Sequence, residues 1–289
     1  NLFITQFILA LGIILYSEPT KAFVPYFYKP NSEELKKTSI NIAKTAAQLI
    51  HLGQPKEAMR LALLAVSLEP NDERLWGILA ETQTRMNLID KAIESLSKAK
   101  RINPTNPSIW FAEATLELQK NRSKNAIKLL RIGLKYDKSN AGAYFQLGNA
   151  RIMEKQPNLA LIEFEKAIKI ESKFWEAINN QGIILFELDK IEKAIVKWRK
   201  VLEIKKNAEP MLALATALNL LNPNNSESID LAKEALTKNP NYVFSIHQQK
   251  QLWGYKLRKA AKKLLNKQEL LLDVKKAIAN SDISINDDK

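Results

Sequence analysis

Ala58, Ala92, Ala126, Ala160 and Ala194 stand 34 residues apart, and Ser228 takes the sixth place in the same register. A fixed period of that size means a supersecondary unit repeated along the chain, each copy burying its apolar face against the next. Three further columns keep the step. Small residues recur at Ala46, Ala80, Ala114, Gly148, Gly182 and Thr216, and again at Ala65, Ala99, Gly133, Ala167, Val201 and Ala235. Large apolar residues fill the fourth: Ile42, Trp76, Trp110, Tyr144, Ile178 and Leu212.

Two helices that cross at small side chains approach closely, and a bulky neighbour covers the crossing from one side. Within each period the apolar residues fall at three- and four-residue spacing, so each unit reads as a helix pair, for instance Asn71 to Met86 followed by Ile89 to Lys100. Pro55 and Pro157 share one place in the period, the first turn of the second helix, where a missing N–H costs nothing. Pro70, Pro104 and Pro240 share another, where that helix must end. Composition agrees: the 289 residues include only 8 glycines and 11 prolines, too few for a turn-dense β architecture, and at 46% hydrophobic the chain has a core to bury.

The period and its columns resemble the tetratricopeptide repeat family over residues 39–242. The resemblance implies an all-α, right-handed superhelical solenoid of six helix pairs, with units at 39–72, 73–106, 107–140, 141–174, 175–208 and 209–242. The sequence departs from the family pattern in two ways. Lys138, Ser172 and Lys206 replace the closing proline, and Glu113 and Gln181 stand where the family carries a large apolar residue. Unit six is the weakest, with the polar connection Asn222 to Ser228.

Residues 243–289 follow as a basic capping helix over Ser245 to Lys267, a short helix over Gln268 to Ala279, and a tail. A solenoid end needs such an atypical element to cover its last apolar face. Residues 1–38 form the remaining region, a hydrophobic N-terminal segment and linker. Leu2 to Tyr16 is an uncharged, apolar run, short for a membrane span of about 20 residues and suited to a signal-peptide core. Thr20-Lys21-Ala22 offers small residues at the first and third places of a cleavage site. The expectation is a membrane-associated or exported protein, periplasmic or, if cyanobacterial, in the thylakoid lumen; it is cytoplasmic if residues 2–16 are a packed helix instead. The resemblance extends to small repeat proteins of bacteria, cyanobacteria in particular, and implies assistance to a membrane-associated complex.

Catalytic constellations are not found. There is no cysteine, and the two histidines, His51 and His247, are far apart without metal-spaced partners. No glycine-rich phosphate loop, G-x-S-x-G elbow or H-E-x-x-H occurs. The expectation is a non-enzyme with no cofactor and no metal. Trp76, Trp110, Trp175 and Trp198 read as packing residues.

In the resembled family the first helix of each unit lines a concave groove that holds a protein or peptide segment. Carried over by register, that groove comprises Arg74, Phe111, Phe145, Asn149, Ile152, Met153, Asn179, Ile183 and Phe186, with Gly77, Glu81, Thr84, Arg85, Ser108 and Thr115 at its N-terminal end. Its centre reads as apolar, and contiguous apolar surface marks contact sites. The amides of Asn149 and Asn179 are suited to bonding a bound backbone. The alternative occupant is one of the protein's own helices, such as the N-terminal segment. The net charge is +13, densest where residues 250–267 carry seven Lys/Arg and no acid. Lys256, Arg258, Lys259, Lys262 and Lys263 are thus a basic surface for an anionic membrane or, as the alternative function, for nucleic acid. The side-chain code of base-reading repeats is not seen, which disfavours nucleic acid.

Overall fold

The computed structural model describes residues 29–282, and their regular structure is helical throughout. Six pairs follow one another: α1 (Ser32–His51) with α2 (Pro55–Leu68), α3 (Glu73–Arg85) with α4 (Ile89–Ile102), and α5 (Pro107–Gln119) with α6 (Ser123–Tyr136). Then come α7 (Ala141–Met153) with α8 (Pro157–Ile170), α9 (Trp175–Glu187) with α10 (Ile191–Ile204), and α11 (Ala208–Leu221) with α12 (Ser226–Lys238). Each helix packs on its pair mate and on the next pair, as a solenoid requires. α1 begins ahead of the expected unit boundary because Asn31 and Glu34 form a capping box, each side chain accepting from the other's backbone N–H at 2.9 and 3.0 Å. The apolar run at residues 2–16, its targeting role and most of the C-terminal tail lie outside the described residues. No helix among the described residues is long and apolar enough to cross a membrane.

All three small-residue columns are buried. Where the column residue is glycine, an aromatic ring fills the space a Cβ would take: a Cβ on Gly148 would stand 2.5 Å from the Phe164 ring, and one on Gly182 would stand 2.6 Å from Trp198. The fourth column works as a lid in the N-terminal units, where Trp76 and Trp110 each donate an indole N–H to the carbonyl of the proline closing the preceding unit, Pro70 and Pro104, at 2.8 Å. Lys98 and Lys100 lie over those two rings at 4.3 and 4.7 Å. The polar departures are answered locally: Glu113 pairs with Lys100, and the Gln181 amide donates to Glu165 at 3.2 Å.

The turn inside each pair also repeats. Gly53, Asn87, Asn121, Lys155 and Asp189 hold positive φ between 56° and 72° at the 34-residue step. The next N–H then reaches back to the carbonyl five places earlier, as from Leu88 to Gln83 and from Arg122 to Glu117 at 2.8 Å, satisfying helix-end acceptors. In unit six the place falls on Pro223, whose ring fixes φ near −65°. The turn is replaced: α11 runs to Leu221, and Asn225 caps α12 by accepting from Ser228 N at 2.9 Å.

The C-terminal region departs from expectation. The single helix expected over 245–267 is two, α13 (Ser245–Lys250) and α14 (Tyr255–Leu265), separated by a break at which Leu252 has φ 64°. A turn of 3-10 helix, Gln268–Leu270, and α15 (Leu271–Ala279) complete the cap.

The glycines divide by packing. An added Cβ on Gly77 meets nothing within 4 Å, whereas one on Gly148 runs into Phe164. Gly77→Ala is expected to raise stability by about 0.5–1 kcal/mol through helix propensity. Gly148→Ala is expected to lower it by about 1–3 kcal/mol through overpacking. Thermal unfolding followed by circular dichroism measures both, and equal shifts would contradict the crossing geometry.

Candidate partner-binding groove

The first helices of the units, α3, α5, α7, α9 and α11, line one face, open in its N-terminal half and largely covered at its C-terminal end. Between α3 and α5 lies a dent of about 540 Å³. Its floor is apolar and small, with Ala80, Leu96, Ile109 and Leu116, and Gly77 and Ala112 leave room above them. Its rim is polar, with Arg74, Glu81, Thr84, Arg85, Ser108 and Thr115. Arg74 is pinned by Asp72, the N-cap of α3, through its Nε at 2.9 Å and a second N–H at 2.5 Å. That guanidinium is the leading reason the Asp72 carboxyl is held below the usual range. Arg85 and Glu81 stand 4.0 Å apart across one helical turn.

The apolar centre expected from the register is not open surface. Phe111 covers Gly133 at the helix crossing. Phe145 is half-buried against Phe164 and Phe174, with ring centroids 5.7 and 5.1 Å away. Ile152 packs on the same cluster, and Met153 is half-buried at the end of α7. Asn179, Ile183 and Phe186 are at most 2% exposed. The two asparagines singled out for backbone recognition are linked through a third: Asn180 donates to Asn149 at 2.8 Å, and Asn179 donates to Asn180 at 3.3 Å. Asn179 also accepts from the Trp198 indole at 3.1 Å.

The protein's own C-terminal arm closes this half, docking α14 against α9 and α11. Trp253, at the break before α14, is buried and donates to Glu209 at 3.0 Å. Glu187, at the end of α9, accepts from the backbone N–H groups of Leu257 at 2.8 Å and Lys256 at 3.2 Å, so it starts the new helix. Gly254 is required there, because a Cβ would collide with the Glu187 carboxylate. Leu257 and Leu264 seal the contact at 0% exposure. The occupant is therefore the C-terminal segment, which the repeat register does not include.

The basic helix divides accordingly. Lys256 pairs with Asp189 at 2.5 Å, Arg258 donates to Ser245 at 3.1 Å, and Lys267 donates to the Pro223 carbonyl at 2.5 Å, so these cations tether the arm. Lys259, Lys262 and Lys263 face solvent. His51 is exposed, whereas His247 stacks edge-on against Tyr242 at 4.6 Å and burial lowers its pKa.

Beside the arm a second cavity of about 420 Å³ is lined by Phe145, Asn149, Glu176, Glu209, Lys250 and Leu252. Desolvation raises the Glu209 carboxyl to about 7, partly opposed by hydrogen bonds to Trp253, Asn179 and Tyr242. The Tyr242 hydroxyl is pushed up by the same burial. A carboxyl raised from 4.5 to about 7 binds its proton more tightly folded than unfolded, so its contribution to stability falls as pH rises through that window. Glu209→Gln is expected to flatten the loss, on the order of 2 kcal/mol, between about pH 5 and about pH 8. Guanidinium denaturation at both pH values measures it, and an unchanged slope would contradict the buried carboxyl.

Comparison with known proteins agrees with this architecture. A tetratricopeptide repeat family model matches residues 73–106 and 141–174, the bounds of units two and four. Among curated proteins the chain is similar to human "Protein O-mannosyl-transferase TMTC3", 26% identical over 151 residues, which are 51% of this chain and 16% of that protein. The match thus spans about a sixth of that relative's length. Among solved structures, Pseudomonas aeruginosa PilF superposes with TM-score 0.63 at 17% identity, covering 76% of this chain and 97% of that one. YrrB, described as a repeat protein with an unusual peptide-binding site, superposes at 0.52 and 17% identity over 65% of this chain and 97% of its own. The chain carries tetratricopeptide repeats, stacked as a solenoid of helix pairs and closed by its own C-terminal helices.

Proposed function

We propose that this chain is a non-catalytic scaffold that holds a segment of another protein in the open N-terminal half of its groove, within a membrane-associated or exported assembly. The dent between α3 and α5 carries the reading: an apolar floor with room left above it by Gly77 and Ala112, under a polar rim, is the shape that accepts one large apolar anchor and hydrogen-bonds the chain around it. The two hydrogen bonds from Arg74 to Asp72 orient one rim guanidinium before a partner arrives, which lowers the ordering cost of binding there. The peptide-binding site named for YrrB supports the class of ligand. The transferase name of the curated relative belongs to a protein of which the match covers a small part, and the groove supplies positioning groups rather than a nucleophile with its base. Membrane association rests on the apolar run at residues 2–16.

Gly77→Trp fills the dent from a position with open space above it. Crosslinking from the native cell, with membrane and soluble fractions kept apart, is expected to recover a protein partner with the wild type and to lose it with Gly77→Trp, at unchanged helical circular dichroism. A partner recovered equally with both would overturn the groove assignment.

A further inference from the structure

The second helices of the units carry a site of their own. Between α8 and α10, on the side away from the groove, lies a cleft of about 610 Å³ floored by α9. Its walls are Leu161 and Ile162 on α8, Leu185 on α9 and Val196 on α10. Ile162 is 51% exposed and Val196 66%, high for branched apolar side chains that face each other across a cavity. Four lysines ring it: Lys166 and Lys169 from α8, and Lys193 and Lys197 from α10. Lys166 is shared with Glu163 at 2.9 Å and the Tyr144 ring at 5.4 Å, whereas Lys169, Lys193 and Lys197 make no ion pair among the described residues. The acid at the rim, Glu165, is engaged by the Gln181 amide.

Gln181 makes the cleft floor polar beneath its apolar walls. It replaces the large apolar residue of the repeat pattern on the cleft floor, is 4% exposed, and leaves its Oε1 buried without a hydrogen-bond partner. A buried acceptor without a donor is costly unless something supplies one.

We propose that this cleft is a docking site for an acidic amphipathic helix of a partner protein. Such a helix lays apolar residues along the cleft and places flanking carboxylates against the lysines. An α8 of 14 residues gives a track about 21 Å long, room for apolar side chains at i, i+4 and i+7. The observations favour a helix over a lipid chain. The walls stand too open to keep an acyl chain dry, whereas a docked helix covers them with its own flanks. A second copy of this chain is a poor occupant, because each copy carries a net charge of +13.

The test uses a fluorescein-labelled synthetic helix of about 18 residues, with leucines at i, i+4 and i+7 and glutamates on the flanks. Fluorescence polarisation with the full chain is expected to show binding that falls at least about tenfold on raising NaCl from about 50 to about 500 mM. Val196→Glu, an exposed and helix-compatible change, is expected to abolish binding with circular dichroism unchanged. Lys193→Glu with Lys197→Glu is expected to exchange the preference, so that the same peptide with lysine flanks binds instead. Gly77→Trp leaves this binding intact if the cleft is the seat. The proposal is overturned if Val196→Glu binds the acidic helix as the wild type does, or if Gly77→Trp abolishes binding. Vesicles of anionic phospholipid that co-sediment with the wild type and not with Val196→Glu, while the peptide stays unbound, would also overturn it by assigning the cleft to lipid.

Discussion

The helix crossing within each pair is the contact on which the rest of this structure depends. Two helices approach closely only where the residues between them are small, and the solenoid repeats that condition at both partners of every pair, Ala80 with Ala92, Ala114 with Ala126, Gly182 with Ala194. Units two to five also conserve volume at this crossing. Where the second column changes from alanine to glycine, at Gly148 and Gly182, the buried residue sixteen places on changes from leucine to an aromatic: Leu96 and Leu130 give way to Phe164 and Trp198. Interiors are packed at crystal density, so the larger ring and the missing Cβ have to occur together. The pair geometry is thereby kept through units whose side chains differ, and the groove inherits its alignment from it.

That alignment has a consequence at the C-terminal end. A solenoid's last units expose as much apolar surface as its middle ones, and α11 is buried over nearly its whole length only because α14 lies on it. Burying Leu257, Leu264 and Trp253 contributes roughly 2 kcal/mol each on area grounds, before ordering costs. The polar contacts at Glu187 and Glu209 fix where the arm lies rather than how tightly it holds, since each satisfies a donor that docking would otherwise strand. The groove is divided as a result: its apolar C-terminal stretch serves the protein's own stability, and the polar-rimmed dent near α3 stays open.

How much of this was legible in the sequence follows from which contacts repeat. The small-residue columns, the pairing of helices and the proline positions are imposed at every 34-residue step, so one chain samples the same constraint several times. The left-handed turn residue is imposed equally often, at Gly53, Asn87, Asn121 and Asp189, and its spacing was a readable signal that Lys155 and Pro223 interrupt. The state of the groove was not legible in this way. Register assigns Asn179, Ile183 and Phe186 to the concave face, but whether those side chains meet water depends on α14, a segment outside the repeat with no column to say where it docks. The break that turns Trp253 inward is likewise set by Glu187 and Glu209, far away in sequence, rather than by its own neighbours.

The charge of the chain is distributed by the same division of helices. On the groove side the rim cations are matched, Arg74 by Asp72 and Arg85 by Glu81, and the arm's Lys256 is matched by Asp189. On the opposite side α8 and α10 present four lysines around apolar walls against one lining carboxylate, Glu165. First helices and second helices of a pair are held rigidly by the crossing, yet they face opposite directions, so a ligand on one side neither touches nor screens the other. Salt therefore acts unequally on the two places: the outer cleft sets Lys169, Lys193 and Lys197, without ion pairs among the described residues, within a Debye length of about 8 Å of apolar surface, whereas Arg74 and Arg85 at the dent each have a carboxylate beside them. Net charge alone, a property of the whole chain, conceals that asymmetry; the alternation of inner and outer helices reveals it.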